Sequence, residues 1–193
     1  MKYIRLTLLA AILLTLAACS KQDNPIKSEA PVSANVSESY DIVANTGKGF
    51  TVGAMMSSQI AYVLFDPQCT HCGQLWRASL PLHSKVRFVW IPIAFNPEKS
   101  LPQAAALLSA VNPLEAMSAH EQSLLAGTGG MTASANVSSD LSQAITNNTQ
   151  LLGKIGIDSV PYLLAKNKQT GQIVSHSGAL ETAALAALLF SEK

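Results

Sequence analysis

Cys69 and Cys72 sit at the junction between an apolar run of strand length and a segment of helical spacing, and this placement limits the chain more than any other feature. The run Ile60-Ala61-Tyr62-Val63-Leu64-Phe65 is almost uninterrupted, as expected of a strand covered on both faces. Asp66-Pro67 ends it. From Cys69 to about residue 80 the spacing predicts a helix, with Cys72, Leu75 and Trp76 on one face at i, i+3 and i+4, and Pro81 closing it. Residues 86–93 (VRFVWIPI) read as a second buried strand, so the region forms a β-α-β unit.

Paired cysteines two residues apart serve three chemistries. Structural zinc needs four ligands; no second pair exists, and His83, His120 and His176 are scattered without ligand spacing, so no metal is expected. A structural disulfide between such close neighbours constrains the unfolded chain little and contributes little stability. Disulfide exchange fits the surroundings better. Cys69 falls at the first turn of a helix, where unpaired N–H groups and the helix dipole favour a thiolate. His71 adds a polar neighbour acting in the same sense, and Thr70 completes the motif. Cys72, one turn in and on the buried face, is the expected resolving thiol. Both reacting groups belong to the chain, so no cofactor is expected.

The remaining pattern is mixed. Residues 50–52 suit a short strand. Residues 98–155 carry no convincing strand and read as three helices, over 101–111, 114–126 and 138–152, with Ser138 or Ser139 as N-cap and Gly153 in the stop position. Residues 161–165 and 172–175 read as a hairpin, and 180–190 as a closing helix. The expected order is β-β-α-β, a helical block, then β-β-α.

The first residues read as a targeting segment. Lys2 and Arg5 precede the apolar run 6–18, whose 13 residues are too short for a permanent span. It ends in Leu16-Ala17-Ala18-Cys19, similar to a bacterial lipobox, which implies signal cleavage after residue 18 and a diacylglyceryl group on Cys19. Ser20, where Asp would favour the inner membrane, points to the outer one. Residues 19–46 are then expected to be anchor and flexible tether, being rich in Ser, Asn and charge. With Cys19 acylated, only Cys69 and Cys72 remain in an oxidising compartment. The chain is 48% hydrophobic and 13% charged, which excludes a mostly disordered protein. Setting aside the leader leaves 11 basic and 12 acidic residues, so nothing favours nucleic acid as a partner.

Phe65-Asp66-Pro67-Gln68-Cys69-Thr70-His71-Cys72, followed by Leu75-Trp76 and preceded by Gly47-Lys48-Gly49, resembles the active-site stretch of the DsbC/DsbG branch of disulfide-exchange proteins. The resemblance covers about residues 47–193. It implies a thioredoxin fold, a central mixed sheet flanked by helices, with a helical insertion at about 98–155. It also implies that Val160-Pro161, at the head of the strand Tyr162-Leu163-Leu164-Ala165, is the X-cisPro loop packed against the motif and offering backbone to a client strand. The partners implied are cysteine-containing envelope proteins and a membrane redox partner. Residues 20–46 are too short for that branch's dimerisation domain, which points to a monomer. His71 before the second cysteine and Val160 before the proline are similar to DsbA, so oxidation is the favoured direction, ahead of isomerisation or reduction. A client-binding protein using the cis-Pro groove is the alternative class.

Val63 stands where thioredoxin has a buried acid, and no other acid is placed by the sequence to replace it. Trp76 and Tyr162 read as core or groove, Asp66 as turn chemistry or active-site polarisation, and Met55 and Met56 as loop. His83, His120 and His176 receive no role.

Overall fold

A computed structural model describes residues 36–191. The leader, Cys19 and most of the expected tether lie outside the described residues. Five strands form one mixed sheet: β1 (Phe50–Gly53), β2 (Ile60–Phe65), β3 (Arg87–Pro92), β4 (Tyr162–Lys166) and β5 (Ile173–Ser177), in the order β1-β3-β2-β4-β5. β2 and β3 are parallel, with Val63 opposite Trp90; β1–β3, β2–β4 and β4–β5 are antiparallel. Among the described residues six helices flank the sheet: α1 (Val36–Thr46), α2 (Thr70–Ser79), α3 (Ser100–Leu108), α4 (Pro113–Leu125), α5 (Ser139–Lys154) and α6 (Thr182–Phe190). A 3-10 turn, Leu80–Leu82, follows α2, with Pro81 at a position where a missing N–H costs nothing. This is a thioredoxin fold with the layer α3–α5 between β3 and β4.

Strand alternation explains the two cores that cover the faces of the sheet. Val63 and Phe65 point with Phe88 and Trp90 into one layer, which Cys72, Leu75 and Trp76 of α2, Met117 of α4 and Leu185 and Leu189 of α6 complete. Leu64 and Ile91 point the other way, against Val43, Leu151, Leu152 and Ile155. The central strands therefore bury both faces, which is why they read as unbroken apolar runs. Trp76 is core: it is 1% exposed, and its ring meets Trp90 edge-on at 5.1 Å.

One boundary needs correction. The expected tether ran through residue 46, yet Val36–Thr46 is a helix packed on the second core. Val36, Tyr40 and Val43 recur at helical spacing; Val43 is fully buried and Tyr40 meets Tyr62 edge-on at 5.3 Å. Ser37, Glu38 and Asp41 form the helix's outer face, while Ser39 is buried beside Val43 on the inner one. After α1 the chain passes tightly over β3: a Cβ at Gly49 would collide with the Trp90 carbonyl, so only glycine fits. Asn148 of α5 holds this crossing, accepting from the Lys48 N–H at 2.9 Å and donating to the carbonyls of Lys48 (2.7 Å) and Pro92 (2.9 Å).

Candidate active site

The parallel pair β2–β3 and helix α2 bring the motif to one end of the sheet. Asp66 shapes the loop that follows β2. Its buried carboxylate accepts from the Gln68 N–H (2.8 Å) and Ser100 hydroxyl (2.7 Å) through Oδ1, and from the Phe95 N–H (2.7 Å) through Oδ2. The Asp66 carbonyl accepts from the Cys69 N–H at 3.0 Å. Turn chemistry is thus its role, extended to α3.

Cys69 is the N-cap of α2, in extended backbone with φ −91° and ψ 109°, and its Sγ accepts from the Cys72 N–H at 3.3 Å. Across the site the Val160–Pro161 peptide is cis, and the Val160 carbonyl lies 3.5 Å from Cys69 Sγ, within reach of a thiol donor. Cys69, Cys72, Val160 and Pro161 therefore come together. Thr70 and His71 are exposed, and His71 Nδ1 sits 3.1 Å from Gln74 Oε1. A groove of about 350 Å³ runs beside Cys69, bordered by Val160, Asp158 and the half-exposed ring of Phe95.

The two thiols are unequal. A hydrogen bond from the Cys72 thiol is the largest influence on Cys69; the N–H groups of Cys72 and His71 and the His71 charge add to it and outweigh burial, drawing the pKa from 9.0 to about 7. Cys72 is fully buried, and burial, then its hydrogen bond to Cys69 and the Cys69 charge, push its pKa well above 9.0. Iodoacetamide should therefore label Cys69 and spare Cys72 in the reduced protein. Because the thiolate fraction grows as pH rises through about 7, the labelling rate should be half-maximal there. A midpoint near 9, or equal labelling of Cys72 by peptide mapping, would contradict this asymmetry.

Two residues of α4 reach the site without having been singled out for it. Met117, His120, Glu121 and Leu124 form its buried stripe at i, i+3, i+4 and i+7. His120 clasps the motif's loop: Nε2 donates to the Pro67 carbonyl at 2.8 Å, and Nδ1 accepts from the Met131 N–H at 3.1 Å. Burial holds its pKa below the ordinary value, in keeping with a neutral ring doing both jobs. Gln68 Nε2 donates to Gln103 Oε1 (2.6 Å) and to the Gly129 carbonyl (2.9 Å), joining the same loop to α3 and to the turn after α4. The sequence placed no acid to replace the one missing at Val63, and the structure puts Glu121 beside the motif. It is fully buried, and its carboxyl lies against Gly73, the residue after Cys72. The signal for both was polar residues on a helical stripe whose other members, Met117 and Leu124, are apolar.

A partly buried, acid-shifted cysteine at a helix N-cap, a buried partner one turn on and a facing cis-proline loop define a thioredoxin-fold protein with a dithiol centre. Within that class the sequence is DsbG-like. It is 26% identical over 139 residues to the thiol:disulfide interchange protein DsbG of Pseudomonas aeruginosa, covering 71% of this chain and 53% of that protein. It is 28% identical over 119 residues to DsbG of Escherichia coli, covering 60% and 47%. The chain thus spans about half the length of the curated relatives it matches. No family model matches. Among solved structures, the catalytic domain of Proteus mirabilis ScsC superposes with a TM-score of 0.59 at 19% identity, over 80% of this chain and 94% of that one. A periplasmic thioredoxin-like protein from Salmonella enterica serovar Typhimurium gives 0.60 at 17%, over 78% and 93%.

Proposed function

We propose that this protein is a thiol–disulfide oxidoreductase of the bacterial envelope, acting on cysteine-containing client proteins through Cys69 and Cys72. The observation that carries it is the inequality of the two thiols. One is accessible and ionised near neutral pH; the other is buried and holds its proton. A sulfur that is a stable thiolate is also a good leaving group, and stabilising the reduced form makes the disulfide more oxidising.

In the oxidising direction a client thiolate attacks Cys69 Sγ. The Cys69–Cys72 bond breaks, and its electron pair leaves on Cys72. A second client thiolate then attacks the client sulfur of the mixed disulfide and expels Cys69 as thiolate, so the client leaves oxidised and the enzyme holds two thiols. Reoxidation needs a disulfide-bearing or quinone-linked membrane partner. In the reducing direction Cys69 attacks a client disulfide, and Cys72 resolves the mixed disulfide. The Val160 backbone and the Phe95 ledge offer the client chain an extended, partly apolar seat beside the sulfur. Anchoring through lipidated Cys19, in the outer membrane, completes the proposal; mass spectrometry of the mature protein checks it, and a free thiol at Cys19 would remove the anchor.

Equilibration with glutathione tests the direction. An oxidase should have a reduction potential near about −120 mV, whereas a value near about −270 mV would assign the protein to reduction.

A further inference from the structure

Opening the disulfide creates a problem that Cys69 does not share. Cys72 departs as a thiolate in a site closed to water, where an unpaired charge is costly. It needs a proton from a nearby group. His71 faces outward to Gln74, all three donors around Asp66 fix that carboxylate as an acceptor, and Val63 carries no acid.

Glu121 meets the need. It is 0% exposed, and neither carboxyl oxygen has a hydrogen-bond partner among the described residues. Its Oε2 occupies the space that a Cβ on Gly73 would fill, so the glycine after Cys72 is what admits the carboxyl. Buried polar atoms without partners are rare and ask for an explanation. A groove of about 540 Å³ between α2 and α4, bordered by Trp76, Arg77, Leu80 and Gln122, has Glu121 in its wall, while the carboxyl oxygens themselves are closed to solvent.

We propose that Glu121 hands a proton to Cys72 and takes it back, delivered from α4 rather than from the sheet. This rests on the disulfide-exchange function above. As the Cys69–Cys72 bond breaks under attack by a client thiolate, the Glu121 carboxyl protonates the Cys72 thiolate and is left as carboxylate. In reverse, the carboxylate removes the Cys72 proton as that sulfur attacks Cys69 and the client sulfur leaves with the electron pair. With both thiols reduced, burial, then the negative charge of Cys69, raise the Glu121 pKa from 4.5 to about 8; burial, the larger cause, acts in the disulfide form as well and favours the protonated carboxyl there. The charged or titratable groups facing it are Cys69 and Cys72 at the start of α2, Arg77 further along α2, and its neighbour His120. α3 and β1, which also pack on α4, contribute no charged side chain.

The test is the pH profile of disulfide opening in the full chain by glutathione, followed by tryptophan fluorescence and normalised to the glutathione thiolate present. The wild-type rate should fall as pH rises into the range where Glu121, held above the ordinary carboxyl range by burial, loses its proton. Glu121→Gln should be slower by about tenfold or more at neutral pH and should lose this inflection, while Glu121→Asp retains an inflection at reduced rate. Identical rate and profile in Glu121→Gln would overturn the proposal while leaving exchange intact. A wild-type protein that does not exchange with glutathione would remove the function itself. Should the Gln variant not fold, infrared spectroscopy of the wild-type disulfide form decides: a protonated-carboxyl band persisting at neutral pH supports the relay, and its absence overturns it.

Discussion

Cys69→Ser should abolish disulfide exchange, with a drop of at least about a thousandfold, the scale on which removal of a covalent nucleophile acts. Serine keeps the N-cap acceptor for the Cys72 N–H, so the helix start should survive while the reacting sulfur is gone. Cys72→Ser should behave differently. Cys69 remains accessible, with Val160 across the groove, so it should still attack glutathione disulfide and then hold the mixed disulfide, visible as a mass increase on Cys69. Exchange at the wild-type rate by Cys69→Ser would show that the centre has been misassigned. The same would follow if Cys72 proved able to replace Cys69, because a fully buried sulfur has no access to a client.

Asp66→Ala should cost about 3 kcal/mol of stability, the scale of several hydrogen bonds lost from a buried charged acceptor. Three donors would be stranded: the Gln68 and Phe95 N–H groups and the Ser100 hydroxyl. They belong to the loop before Cys69, the segment after β3 and the start of α3, so the loss should also loosen the motif. Urea unfolding checks this, with the Cys69 labelling profile as a second measure. A change within about 0.5 kcal/mol, the range of ordinary surface substitutions, would mean that water replaces the carboxylate.

Much of the frame was legible because burial on both faces leaves a simple trace. β2 and β3 lie inside the sheet, and their apolar runs are hard to mistake. The cysteines were legible from their position at a strand-to-helix junction. Val160 was not legible from physics alone: 91 residues separate it from Cys69, and only the resemblance linked the two. Helix α1 was missed because a short amphipathic helix needs few inward residues, one of which here is the polar Ser39, and its outward Ser37, Glu38 and Asp41 imitate a linker. His120 and Glu121 were missed for a different reason. What they do depends on α4 lying across α2, and no spacing along the chain encodes that crossing. Their neighbours carried a partial trace, since Met117 and Leu124 mark the stripe on which both stand.

The clasp of His120 on Pro67 and the join of Gln68 to Gln103 and Gly129 have a mechanical consequence. A lid gates a site by swinging free of it, which requires few bonds across the seam. Here the seam is stitched at the residues that set Cys69 in place, so the helical layer and the motif rise and fall as one cooperative unit. The groove beside Cys69 is then a standing shape, set by its side chains before any other chain enters it and not formed by closure.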